Sequence, residues 1–292
     1  MHDHEVDIDV DLVRKLLTEQ MPAWAKLSLS IVEPWGTDNA IWRLGDELVV
    51  RLPRIGSAER QVSWEDEWLP QIRPHLDVTV PTPMAVGEPG CGYPYKWAVH
   101  HWVTGSGAAI ELIDDPTRFA LDLAHTVEQI AQVPTTGLRS AVNRGQHIRD
   151  YDADTRKAIH SARHLIDVDA ATQIWEAALD AKANEVPHFV HGDLEGNCVV
   201  RDGRLHGLID WGLACAGDPA VDVQVAWSTL FTDTSRQAFL DALKVDDATI
   251  ARARGAGINQ ACGALPYYMD TYPLIVERSW HKLEALGVPT KR

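Results

Sequence analysis

The chain has 292 residues, enough for two ordinary domains or one large one, with the 45% hydrophobic and 24% charged content of a soluble globular protein. A net charge of −15 argues against nucleic acid, whose phosphates would be repelled. It suits a cationic small molecule drawn in by a negative field, or serves solubility alone. No apolar run reaches the ~18 residues a membrane span needs, so no membrane partner is expected. The N-terminus MHDHEVDIDVD lacks a basic–apolar leader pattern. Cys91, Cys198, Cys215 and Cys262 show no CxxC spacing, which fits a reducing cytoplasm better than a zinc site or a disulfide framework.

Residues 9–20 carry Val10, Val13, Leu16 and Leu17 at helical spacing behind an acidic start. From residue 27 the period becomes strand-like: 27–34, 40–44 and 47–52, joined by short turns, predict an antiparallel meander. A helix follows at 58–69. Its Glu65 lies three after Val62 and four before Leu69, bordering the apolar face. Residues 80–95 are rich in proline and glycine and read as extended segments and turns. An apolar strand at 97–103 ends at Thr104-Gly105-Ser106-Gly107. Beyond Ala108 the chain reads as helical, at 115–133, 154–166, 170–183, 221–230, 235–243, 247–265 and 273–286, apart from one hairpin.

That hairpin organises the rest. Strands at 198–200 and 205–209 flank the turn Arg201-Asp202-Gly203-Arg204. Asp193, Asn197 and Asp210 would lie near one of its mouths, where two carboxylates repel unless a cation sits among them. Oxygen ligands in that number suit Mg²⁺, which keeps waters and binds through one or two carboxylates plus substrate phosphates.

His191-Gly192-Asp193, Asn197, Ile209-Asp210-Trp211-Gly212 and Gly217-Asp218-Pro219-Ala220-Val221-Asp222 together resemble the aminoglycoside phosphotransferase family. The resemblance implies the protein-kinase-like α+β fold: a small antiparallel-sheet N-lobe over residues 1–102 and a larger, mostly helical C-lobe over 103–292, with a cleft between them. It implies ATP or GTP as co-substrate, Mg²⁺ as cofactor and a small-molecule hydroxyl as acceptor. An aminoglycoside antibiotic, and hence resistance, leads the list; macrolides, choline, homoserine or sugars are alternatives, as is a nucleotide-binding relative without catalysis.

Residue by residue, the resemblance makes Asp193 the catalytic carboxylate, Asp210 the Mg²⁺ ligand and Asn197 the ligand of a second ion. The kinase pattern has Asn five positions after the catalytic Asp, and here Asn197 follows by four. Cys198 holds the fifth place, and a thiol is a poor partner for Mg²⁺. Glu195 is a substitute oxygen donor. Arg51, in Val49-Val50-Arg51-Leu52, stands where kinases carry a phosphate-binding Lys, with Glu65 as its helix partner. The turn Trp35-Gly36-Thr37-Asp38-Asn39 would cover the nucleotide's phosphates, and backbone groups around His100–Trp102 would bind its base. Asp270 and Glu277, beside Tyr267, Tyr268 and Tyr272, are the candidate contacts to a cationic acceptor. His191 and Asp222 are read as structural. The residues leave the acceptor, ATP versus GTP and the oligomeric state open.

Overall fold

A computed structural model of the protein describes residues 5–33, 38–141 and 144–292. The chain forms two compact units, one of Met1–Pro74, Thr79–Thr104 and Leu208–Gly212, the other of His75–Val78, Gly105–Gly207 and Leu213–Arg292.

The smaller unit opens with α1 (Val10–Gln20). The Asp9 side chain caps it by accepting from Leu12 N at 2.8 Å, and it buries Val13, Leu16 and Leu17. β1 (Leu29–Ile31), β2 (Asn39–Leu44) and β3 (Leu48–Pro53) form the expected antiparallel meander. α2 (Gly56–Ile72) runs longer than the apolar spacing indicated and buries Ala58, Val62, Glu65, Trp68, Leu69 and Ile72. β4 (Pro83–Gly87) and β5 (Trp97–His101) complete a sheet of order β1-β2-β3-β5-β4. Residues 80–95, read as extended segments and turns, hold β4, which that reading did not name as a strand. Its proline sits at the strand's first position on the sheet edge, where no ladder donor is demanded. Every residue of β3 is buried. A polar side chain on that strand therefore needs a partner.

In the larger unit, β6 (Ser106–Gly107) pairs with Val200 and Val199, so the glycine-containing stretch after Val103 adds a strand instead of only ending one. α3 (Pro116–Ala131) is capped by Asp115. α4 (Asp152–Ser161) and α5 (Val168–Asp180) follow. β7 (His188–Val190) leads to β8 (Cys198–Arg201) and β9 (Arg204–Leu208), then β10 (Cys215–Gly217), which pairs with β7. Asp202 (φ 52°) and Gly203 (φ 71°) are both left-handed. That is the backbone a two-residue hairpin needs to match the strand twist.

α6 (Ala220–Val223) is only one turn and passes into a 3₁₀ turn, Gln224–Trp227, closed by extended Ser228. The single helix expected over 221–230 is thus broken, and residues 220–228 are buried throughout. α7 (Asp233–Leu243), α8 (Asp247–Tyr268) and α9 (Pro273–Ala285) complete the unit. α8 packs on α4, α5, α6 and α9, and α3 packs on α7. Phe231 meets Phe119 and Phe239 edge-on at 6.5 and 5.2 Å. Among the described residues, no helix is long and apolar enough to cross a membrane.

Candidate functional site

In the smaller unit, Arg51 gathers two carboxylates. Its Nη1 donates to Glu65 Oε1 at 3.0 Å and its Nη2 to Asp210 Oδ1 at 2.9 Å, while Trp211 N donates to Glu65 Oε1 at 2.9 Å. The Glu65 side chain is 2% exposed and that of Asp210 is 45% exposed. Glu65 therefore lies on the buried stripe of α2, and not at its border. Burial pushes its carboxyl up to about 7, with Arg51 pulling the other way. Burial also works against the Arg51 charge, but the two carboxylates more than offset that and hold it firmly ionised. Asp210 has left-handed backbone, φ 58°, which is strained for a residue with a side chain. The family resemblance, with the apolar spacing around Glu65, made this pairing legible. The Arg51–Asp210 bond, across 159 positions, has no local signal.

His100 is fully buried, and neither ring nitrogen has a hydrogen-bond partner. Burial, with the Arg51 charge adding, lowers its pKa to about 3, so the ring stays neutral. His101 N donates to Thr82 O and Trp102 N to Glu47 O, both at 2.8 Å. These two N–H groups are thus already engaged, and the Trp102 ring stacks under the Arg43 guanidinium at 4.3 Å. Of the turn read as a phosphate cover, Trp35, Gly36 and Thr37 lie outside the described residues.

In the larger unit, the 191–197 loop leaves β7 and is held from beneath. Asp222 Oδ2 accepts from His191 N and Oδ1 from Gly192 N, each at 2.8 Å. Asn197 Nδ2 donates to Asp193 O at 2.7 Å and to Asp193 Oδ2 at 3.3 Å, and Asn197 N to Leu194 O at 3.1 Å. The loop, one residue short of the kinase pattern, thus closes on itself with Asp193 and Asn197 in contact. His191 is buried, its Nδ1 accepting from Asp193 N at 3.3 Å. Cys198 is buried at the start of β8, and burial pushes its thiol up to about 12. Glu195 cannot stand in as a metal donor, because its carboxylate is ion-paired with buried Lys282. Asp270 is exposed in the turn after α8 and Glu277 is exposed on α9. Tyr268 packs edge-on against Tyr267 at 4.7 Å and Tyr272 at 6.3 Å.

Asp222 leads to a first expected outcome. Burial pushes its carboxyl up to about 7 against the pull of the His191 and Gly192 N–H groups, with the Asp193 charge pushing it higher. A folded-state value above the ordinary ~3.9 means the native state holds this proton more tightly. Its contribution to stability is full below about pH 4 and is lost as pH rises through about 7. Asp222→Ala should flatten that slope in a series of urea midpoints. It should also cost about 1–3 kcal/mol by stranding two buried N–H groups.

A model of the phosphotransferase enzyme family matches residues 32–258. The chain belongs to this family. It is 25% identical over 266 residues to the uncharacterised protein YcbJ of Bacillus subtilis (strain 168), covering 82% of each chain. It has the fold of the GDP complex of wild-type aminoglycoside 2′-phosphotransferase-IIIa, with TM-score 0.74 and 17% identity, covering 94% of this chain and 97% of that one. It also has the fold of macrolide 2′-phosphotransferase type I, with TM-score 0.66 and 18% identity, covering 94% and 97%. The small antiparallel-sheet unit and the larger helical unit are those of a kinase-like phosphotransferase.

Mg²⁺, implied by the family, agrees with the donors present. Asp210 is half exposed and carries a carboxylate of hard oxygens, and Asn197 donates through nitrogen, which leaves its amide oxygen as the acceptor. Among the described residues, no three His, Cys, Asp or Glu side chains form a metal cage. Asp210 and Asn197, each within its own unit, are donors of the kind that suits an ion arriving with nucleotide phosphates and keeping some of its waters.

Proposed function

We propose that the protein transfers the terminal phosphate of ATP or GTP to a hydroxyl of a small molecule, with an aminoglycoside-type antibiotic as the leading acceptor. The observation that supports catalysis over nucleotide binding alone is the Asn197 amide bonded to Asp193. Despite the shortened loop, the acid and the amide stay together on a backbone that Asp222 fixes from below.

In this reading Asp193 holds the acceptor hydroxyl in line and takes its proton late. Asp210 would hold Mg²⁺ and Asn197 a second ion, which when bound neutralise charge on the transferring phosphate. Arg51, steadied by Glu65, would face the α- and β-phosphates. With the His101 and Trp102 N–H groups engaged, base recognition at this segment would draw on carbonyl oxygens or on donors from Val103 onward. Asp270 and Glu277, exposed and acidic, are the proposed contacts to amino groups of the acceptor. The GDP bound by the aminoglycoside relative supports GTP as a donor beside ATP. The macrolide relative keeps macrolides as the second acceptor class. The cysteines, free and mostly buried, accord with a cytoplasmic setting.

The test is a coupled assay of ATP and GTP consumption with Mg²⁺ over aminoglycosides, macrolides, choline, homoserine and sugars. Acceptor-dependent turnover with a phosphorylated product is expected. Nucleotide binding with no transfer to any acceptor would favour a non-catalytic relative instead.

A further inference from the structure

The departure in the loop, Asp193-Leu194-Glu195-Gly196-Asn197, is tied to a device on α9. Glu195 points inward and ion-pairs with Lys282, at side-chain exposures of 9% and 4%. Lys282 Nζ also donates to Gln224 Oε1 at 2.9 Å and to Gln260 Oε1 at 3.1 Å. One ammonium thus joins the loop, the 3₁₀ turn after α6, α8 and α9. The other Glu195 oxygen, Oε1, is buried without a hydrogen-bond partner. The carboxylate therefore depends on Lys282 for its charge balance.

One helical turn before Lys282, on the same face of α9, Arg278 lies against the next loop residue. Gly196 has φ +94°, and a Cβ there would fall 2.6 Å from Arg278 Nη1. The left-handed backbone favours glycine here, and the guanidinium lies close against it. Asp222 holds the front of the loop through the His191 and Gly192 N–H groups, and α9 holds its back.

We infer that Lys282 is a positioning residue for phosphoryl transfer, fixing the Asp193–Asn197 loop through Glu195 from α9. This rests on the phosphotransferase reading above. A loop one residue short has no slack, so the anchor at Glu195 sets where the Asp193 and Asn197 side chains point.

The experiment compares full-length wild type, Lys282→Met and Glu195→Gln by backbone hydrogen exchange and by kinetics. Lys282→Met should raise exchange at residues 193–199 while α3 and α7 keep their protection. It should lower kcat by about 10- to 100-fold with the nucleotide KM within about twofold, as expected when a reacting group is misplaced by about an ångström. If Lys282→Met does not fold, Glu195→Gln, which removes only the loop's charge and keeps its shape, should show the same loop-specific exchange. Unchanged exchange at 193–199 in a folded variant overturns the inference. So does a general loss of protection with kcat per folded molecule unchanged, the mark of a purely structural pair. A wild type that binds nucleotide but transfers phosphate to nothing would sink the phosphotransferase reading, and loop exchange would still decide the tether.

Discussion

Asp193→Ala is expected to lower phosphoryl transfer by about 10²–10⁴-fold in kcat, the range a positioned acid–base group supplies. Folding and nucleotide affinity should be kept. The side chain is half-buried, and the shorter Asn197 bond goes to the Asp193 main-chain oxygen, which alanine retains. The Asp222 bonds to His191 and Gly192 are untouched, so the loop should hold its course. The check is acceptor-dependent turnover set beside nucleotide binding by calorimetry on the same sample. Full turnover in the variant would remove Asp193 from the reaction.

Arg51→Ala should have the largest effect on stability, about 3–5 kcal/mol, because it leaves a buried carboxylate without its counter-charge. Glu65 is 2% exposed and would keep only the Trp211 N–H. The sign with pH follows from the same burial. A Glu65 carboxyl already pushed up to about 7 rises further once the guanidinium is gone. At pH 5 it can protonate at little cost, whereas at pH 8 it must stay charged or pull a proton from dilute supply. Urea melts should therefore show a smaller loss at pH 5 than at pH 8. Arg51→Ala/Glu65→Leu should recover much of the loss in stability. Equal losses at both pH values would mean Glu65 is not the stranded group.

Local pattern made much of the architecture legible. The apolar spacing of α1, α3 and α7 is strong and each begins at a side-chain cap, Asp9, Asp115 or Thr232. The Asp202-Gly203 turn names its own hairpin, since few residue pairs accept left-handed backbone twice running. β4, inside a stretch read only as extended segments and turns, and β6 were not named as strands because a proline-led edge strand and a two-residue Ser-Gly strand carry almost no alternation. The break after α6 was missed because a segment buried on all sides has no polar face to mark its period.

By itself the sequence determined the N-terminal meander, most of the helices and the hairpin around Asp202-Gly203. Those depend on spacing within one element or on motifs a few residues long. Only the tertiary structure decided that Arg51 also holds Asp210 across 159 positions, that Glu195 is spent on Lys282, and that His100 is sealed with a neutral ring. Each of these is a buried charge or polar group. Its partner is chosen by which side chains happen to converge where water is excluded, and no periodicity along the chain records that.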